Sequence, residues 1–384
     1  MKPRAITGLG VFSALGVGRE EVFAKIRENV PLRSRPRPAS QTLGEGYASA
    51  GAYEIPDFTP QTYLGEKGLR LLDRLTRVLI STSRVALADA GLKKDGAWLA
   101  LSGEQVGLVC SNAYGSLEAI NELHRTATLE DTRYINPAKF PNTVSNTACG
   151  YVSIWDELRA LNVTVSDGTT GGLDAAFVAD LHLALGRAKA LLVGGGEVMS
   201  ENLWVAWNKL GMDPLAVPLA EGSALFAVEP LESAKARGAR LLGMVAGYGG
   251  AFEAPERRLL HPSRDAMKRA VLAALADAGV RPEEVDLVAS GVIGIGPFDS
   301  AEIGGVSDAI GDAVPLASHK RLLGETLGGS GAMGVTAALA WMGAPSGTAL
   351  PLLRGRAPAK ISTVLVTELG HYGSASALVL KAAT

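Results

Sequence analysis

Short apolar runs punctuated by glycine recur along this chain, each too short to be a helix. Runs at 4–8, 106–110, 163–166, 190–194 and 224–228 read as buried strands. Between them lie helix-like stretches, predicting helices over 69–90 and 172–185. The second half reads the same way, with strands expected at 241–246, 285–289, 314–317, 363–367 and 375–380 and helices at 263–278 and 333–342. Apolar strands alternating with amphipathic helices specify an α/β class with a covered sheet.

The two halves echo each other. Thr170-Gly171-Gly172 opens a helix that is followed by ALLVGGGE and then GSALFAVEP. Gly328-Gly329-Ser330-Gly331 opens another, followed by STVLVTELG and SASALVLKA. Helix, strand, turn, strand at the end of each half is the order an internal duplication leaves. The alternative is two unrelated α/β domains with similar punctuation. The charged, helix-prone stretch 229–240 marks the break, giving halves at 1–235 and 236–384. Residues 33–59, rich in Pro, Gly and Ser, read as a surface excursion.

Composition narrows the function class. The 384 residues are 47% hydrophobic and 20% charged, with net charge −2. That balance fits a folded globular chain. No basic stripe is present for a nucleic-acid backbone, and no run of about 18 apolar residues suggests a membrane span. The N-terminus lacks the apolar stretch of a signal peptide, so a cytoplasmic location is expected. Two cysteines, Cys110 and Cys149, leave no disulfide framework and no thiolate metal cluster. The five histidines, His124, His182, His261, His319 and His371, show no metal-ligand spacing. Gly194-Gly195-Gly196 follows a strand but lacks the dinucleotide-binding spacing, so no directly bound cofactor is expected.

VSDGTTGGLDA at 165–175 resembles the nucleophile turn of polyketide and fatty-acid β-ketoacyl synthases. In that family a strand ends in a tight turn, a cysteine sits at its tip, and a buried helix begins. A helix N-terminus lowers a thiol pKa and offers N–H groups to an oxyanion. The resemblance runs on through AITGLGVFSALGVG, KFPNTVSNTACGYVSI, GRAKALLVGGGE, KRLLGETLGGSGA and ELGHYGSASALVL. It implies a thiolase-like fold: duplicated α/β halves in a layered αβαβα sandwich.

The resemblance also shows what has been replaced. Thr169 stands where the family has its cysteine, Ser290 nearest its first catalytic histidine, and Glu325 at its second. A carboxylate at 325 would repel a malonyl carboxylate and an enolate. Lys320 and Glu302 match the family's scaffold lysine and acidic residue. The expected role is therefore that of a chain-length-factor-like, non-condensing partner of a catalytic ketosynthase subunit in type II polyketide, polyene or fatty-acid-like biosynthesis. The growing chain would ride on the phosphopantetheine of an acyl carrier protein, in a tunnel shared by the heterodimer. GGLDA and GYVSIWDELRAL resemble that branch, whereas threonine in place of its frequent glutamine departs from it. A second departure is the abbreviated stretch at 214–221.

Phe140, Val144, Cys149 and Trp155 are candidate tunnel or interface residues, with ordinary core packing as the alternative for each. His371, near a family phenylalanine that gates the acyl pocket, lines that pocket or is a satisfied turn residue. Two other readings stay open: an acyltransferase or hydrolase using Thr169 or Cys149, and a scaffold homodimer without an acyl tunnel.

Overall fold

The computed structural model describes residues 2–32, 53–209, 218–255 and 260–383. Most of the 33–59 excursion and residues 214–217 lie outside them. Among the described residues, fourteen strands occur in chain order. In the first half they are β1 (Arg4–Ser13), β2 (Gly16–Val17), β3 (Lys93–Lys94), β4 (Ala97–Trp98), β5 (Val106–Ser111), β6 (Asn162–Val165), β7 (Ala190–Glu197) and β8 (Gly222–Pro230). In the second half they are β9 (Gly243–Phe252), β10 (Leu287–Ser290), β11 (Leu316–Ser318), β12 (Leu352–Arg354), β13 (Thr363–Leu369) and β14 (Ser374–Lys381). The hairpin β3-β4 stands apart; the rest form one sheet system in the order β12-β11-β10-β13-β14-β9-β1-β8-β7-β5-β6, with β2 paired to β1.

That order is symmetrical about the β9–β1 junction. β5 runs parallel to both β6 and β7, and β7 antiparallel to β8. The second half repeats this, with β10 parallel to β11 and β13, and β13 antiparallel to β14. Duplicated halves are therefore observed, as the echo in the sequence predicts.

Helices complete the layers. Helices Arg74–Asp89 and Arg264–Ala278 cover the outer faces of the two halves. The first starts later than predicted, at Arg74, because Asp73 caps it by accepting from the Thr76 N–H at 2.8 Å. Ser263 caps the second in the same way, accepting from Ala266 at 2.9 Å. Each packs closely on a strand glycine. A Cβ on Gly10 would lie 2.0 Å from the Thr82 carbonyl oxygen, and one on Gly249 would lie 2.1 Å from that of Ala270.

Helices Gly171–Ala184 and Ser330–Met342 form the central layer, sharing one apolar core with the inner faces of both halves of the sheet. Residues Ser330 through Trp341 are all buried, which explains the absence of a polar stripe on that helix. The two central helices meet N-terminus to N-terminus at Gly172 and Gly331. A Cβ on Gly331 would sit 2.7 Å from the Leu173 nitrogen, and one on Gly172 would sit 2.7 Å from that of Ala332. Only glycine permits this backbone approach. It sets the two half-site turns beside each other.

Gly331→Val is therefore expected to lower the melting temperature, destabilising the fold by roughly 2–3 kcal/mol through overpacking. Gly150, in helix Thr147–Asp156, has open space where a Cβ would go, so Gly150→Ala should leave stability equal or raised. Thermal melts of both variants check this, and equal melting of the two would reject the close-contact account.

Candidate active site

The turn after β6 brings Thr169 to the start of the central helix. Gly168, at φ 64°, takes the left-handed conformation the turn requires. Thr169 is 1% exposed, and its hydroxyl donates to the Leu369 carbonyl at 2.9 Å. A carbonyl oxygen cannot remove that proton, so the hydroxyl is anchored rather than activated. Next to it, Thr170 donates to Asp174 Oδ2 at 2.8 Å. Asp174 Oδ1 accepts from the hydroxyls of Tyr248, at 2.7 Å, and Ser376. Burial pushes the Asp174 carboxyl up, against the three hydroxyls that hold it down. This network fastens the turn of the first half to β9 and β14 of the second.

Ser290 ends β10 and donates to Glu302 Oε1 at 2.7 Å. The same oxygen accepts from Gly291 N–H at 2.7 Å and Thr367 Oγ1 at 2.8 Å. Burial, reinforced by the charge of Glu368, pushes Glu302 up to about 7. Lys320 works the other way but makes no ion pair with Glu302 among the described residues; the two scaffold charges are not each other's partners.

Lys320 instead lies between Glu325 Oε2 and Glu368 Oε2, at 2.8 Å from each, and all three side chains are at most 1% exposed. Burial would depress the ammonium's pKa, but the two carboxylates together raise it. Glu325 Oε1 also accepts from Leu327 N–H at 2.7 Å. Glu325 thus enters the site already paired, and the repulsion expected of a free carboxylate is spent on Lys320. Its backbone is fixed too: its N–H donates to Pro218 O at 2.8 Å, and its carbonyl accepts from Ala220 N–H at 2.9 Å.

Three buried groups escaped the sequence reading. Glu368 accepts from Ser330 Oγ at 2.7 Å, and His319 Nε2 lies 3.1 Å from it. Burial would raise Glu368, yet Lys320 and His319 draw it below the ordinary carboxylate range. Glu197 accepts from the N–H groups of Ala113 and Tyr114, at 2.8 and 3.0 Å. Burial outweighs those bonds and lifts it to about 7. A signal for Glu197 and Glu368 did exist in the sequence. They lie at the ends of corresponding strands, β7 and β13, in the duplicated pattern.

The other candidates scatter. The gap bordered by Thr169, Phe298, Glu302 and His371 holds no water-sized void. Cys149 is fully buried in the outer core of the first half, its thiol 3.9 Å from the Cys110 carbonyl oxygen. Trp155 packs beside that core and under the Arg84 guanidinium, 5.7 Å from the ring centroid. Phe140 and Val144 are 65% and 49% exposed. His371 is buried beside Phe298 and Trp207, and burial holds its ring below the ordinary histidine range. No group of three potential metal ligands occurs among the described residues, and none of their helices is long and apolar enough to cross a membrane.

The raised pKa of Glu302 makes a signed prediction. The folded state binds its proton more tightly than the unfolded chain, whose glutamate titrates near its ordinary value of 4.5. Its favourable contribution is complete below that pH and is lost as pH rises toward 7. Glu302→Gln keeps an oxygen for all three donors and removes the titration. The variant should gain stability relative to the parent protein between pH 5 and 8, by on the order of 2 kcal/mol. Thermal melts across that range test it; a pH-independent difference would reject it.

Comparison with known proteins completes the picture. Residues 1–213 match the β-ketoacyl synthase N-terminal domain, and residues 242–345 match the β-ketoacyl synthase C-terminal domain. The chain is 25% identical to 3-oxoacyl-[acyl-carrier-protein] synthase 2 of Coxiella burnetii, over 98% of this chain and 97% of that protein. It is 29% identical to the putative polyketide beta-ketoacyl synthase 2 of Streptomyces coelicolor, over 98% and 94%. The ishigamide ketosynthase/chain length factor shares its fold at a TM-score of 0.88 and 24% identity, with both chains fully covered. The layered, duplicated architecture is thus the thiolase-like one, and the chain belongs to the β-ketoacyl synthase family.

Proposed function

We propose that this chain is a non-condensing, chain-length-factor-like subunit that pairs with a cysteine-bearing ketosynthase. The observation that carries the reading is the anchored Thr169 hydroxyl beside a site filled by Lys320, Glu325 and Glu368. Condensation needs a thiolate to take the acyl chain and imidazoles to stabilise the decarboxylating unit. Here the nucleophile position holds a bound hydroxyl, and the two histidine positions hold a serine and a carboxylate, both engaged internally.

A partner is supported by the surface. Ile120, Leu129, Tyr134, Phe140 and Val144 are large, exposed apolar side chains within one stretch of chain. Phe177, Leu181 and Leu185 recur every fourth position along the central helix and its end, each about half exposed. Strand β6 is an edge of the sheet. Exposed apolar surface next to an unpaired edge suits coverage by another subunit. The resemblance to acyl-carrier-protein synthases supports a substrate delivered on a carrier protein's phosphopantetheine, with type II polyketide or fatty-acid-like assembly as the setting.

Co-expression with a ketosynthase that keeps its cysteine and both histidines should yield a one-to-one complex on size exclusion. This chain alone, incubated with an acyl-carrier thioester, should show no covalent adduct by intact mass. Thr169→Cys should gain at most a trace of condensation, since both imidazoles are still missing. An acyl adduct on the unmodified chain, or a stable homodimer that ignores the ketosynthase, would sink this reading.

A further inference from the structure

The chain has two cysteines in 384 residues, and folding sets them side by side from positions 39 apart. Cys110 belongs to β5, where Val106, Leu108 and Cys110 alternate into the outer core while Val109 joins the central one. Cys149 enters the same outer core from the first turn of helix Thr147–Asp156. Both side chains are 0% exposed, and neither is in a disulfide. The Cys149 sulfur lies 3.9 Å from the Cys110 carbonyl oxygen, and the two thiols are within hydrogen-bond reach of each other.

The pair is asymmetric. Cys149 sits at a helix N-terminus that no side chain caps, a position that stabilises a thiolate. The Asn112 amide nitrogen also donates toward its sulfur, at 3.9 Å. The Cys110 thiol, then Thr164, Asn112 and the Cys149 N–H, hold the Cys149 thiol below the ordinary cysteine range against burial. Cys149 and burial push the Cys110 thiol well above that range. A thiolate beside a protonated thiol is arranged for one sulfur to attack an oxidant and the other to resolve the product. The closed core favours an oxidant that is small and uncharged, the description of hydrogen peroxide.

We propose that Cys110 and Cys149 form a reversible disulfide when a hydroperoxide is the oxidant, with Cys149 as the attacking sulfur. The Cys149 thiolate attacks one peroxide oxygen and the O–O bond breaks. The hydroxide that leaves takes up the proton the thiol released and becomes water. The Cys110 sulfur then attacks the Cys149 sulfenic acid. The S–S bond forms, the S–O bond breaks, and the hydroxyl leaves with the Cys110 proton as a second water. Two thiols lose two electrons in all, and one peroxide is reduced to two waters. The new bond fastens the start of helix Thr147–Asp156 to β5. The dithiol is independent of the subunit reading above, since no acyl group takes part.

The reduced full-length chain, freed of reductant, can be exposed to hydrogen peroxide, quenched with catalase, unfolded with N-ethylmaleimide present and weighed intact. The parent chain should lose about 2 Da and leave neither cysteine alkylated, and dithiothreitol should restore both thiols. Cys110→Ala should stop at a Cys149 sulfenic acid, about 16 Da heavier. Cys149→Ala should stay unoxidised at the same dose. Two alkylated thiols in the peroxide-treated parent chain, which needs no variant to read, would overturn the proposal. A disulfide linking two chains, or a Cys110 oxidised just as readily in Cys149→Ala, would overturn it too.

Discussion

A lysine ammonium fully removed from water is the constraint around which this site is organised. Lys320 sits at the junction of the two halves with 1% exposure. An isolated charge there would be far too costly to fold. Two carboxylates offset that cost, and each is held by a different part of the chain. Glu325 is clasped through its backbone by Pro218 and Ala220. Glu368 is held by Ser330, the first residue of the buried central helix. Removing either carboxylate would leave an imbalance of the kind that costs about 3–5 kcal/mol in protein interiors. The arrangement that satisfies the fold also removes the free positive charge from the site.

Duplication explains why buried acids occur in corresponding places and behave differently. Glu197 ends β7 and Glu368 belongs to the end of β13. Glu197 faces backbone N–H groups, which only partly offset burial, and it titrates near neutrality. Glu368 faces Lys320 and stays ionised. The same fold position thus gives opposite pKa directions, and the difference is the neighbouring Lys320 and His319. Glu302 behaves like Glu197: three donors, no direct cation, and a pKa of about 7.

The turn that carries Thr169 and Thr170 is a structural joint. Thr169 is tied to β13 through Leu369, and Thr170 is tied through Asp174 to Tyr248 and Ser376. The Thr169–Leu369, Tyr248–Asp174 and Ser376–Asp174 bonds join the first half to the second, and the Thr170–Asp174 bond ties the turn to them. An open depression is lined by Thr170, Asp174, Tyr248 and Ser376 of that joint, together with edge strand β6 and exposed aromatic side chains. His371 borders both that depression and the closed gap beside Thr169.

Much of this was legible in the sequence because it depends on local pattern. Strand and helix order follow from apolar periodicity, and the duplicated strand order follows from the two glycine-led helices with their trailing strand pairs. The candidate positions Thr169 and Glu325 are legible because each sits at a fixed place in a motif, and Ser290 because it lies nearest to such a place. The partners of buried charges are not local. Lys320 is matched by Glu325, five residues on, but also by Glu368, far along the chain. Nothing in their spacing distinguishes that pairing from one with Glu302. Nor does sequence say that Cys149 is sealed in an outer core while Phe140 and Val144 face outward. The sequence by itself determined the fold class and the duplication, and named Thr169, Ser290 and Glu325 as the positions on which the proposed function turns. The tertiary structure alone decided which charges neutralise one another and which apolar residues are left uncovered, because both depend on contacts between segments that only folding brings together.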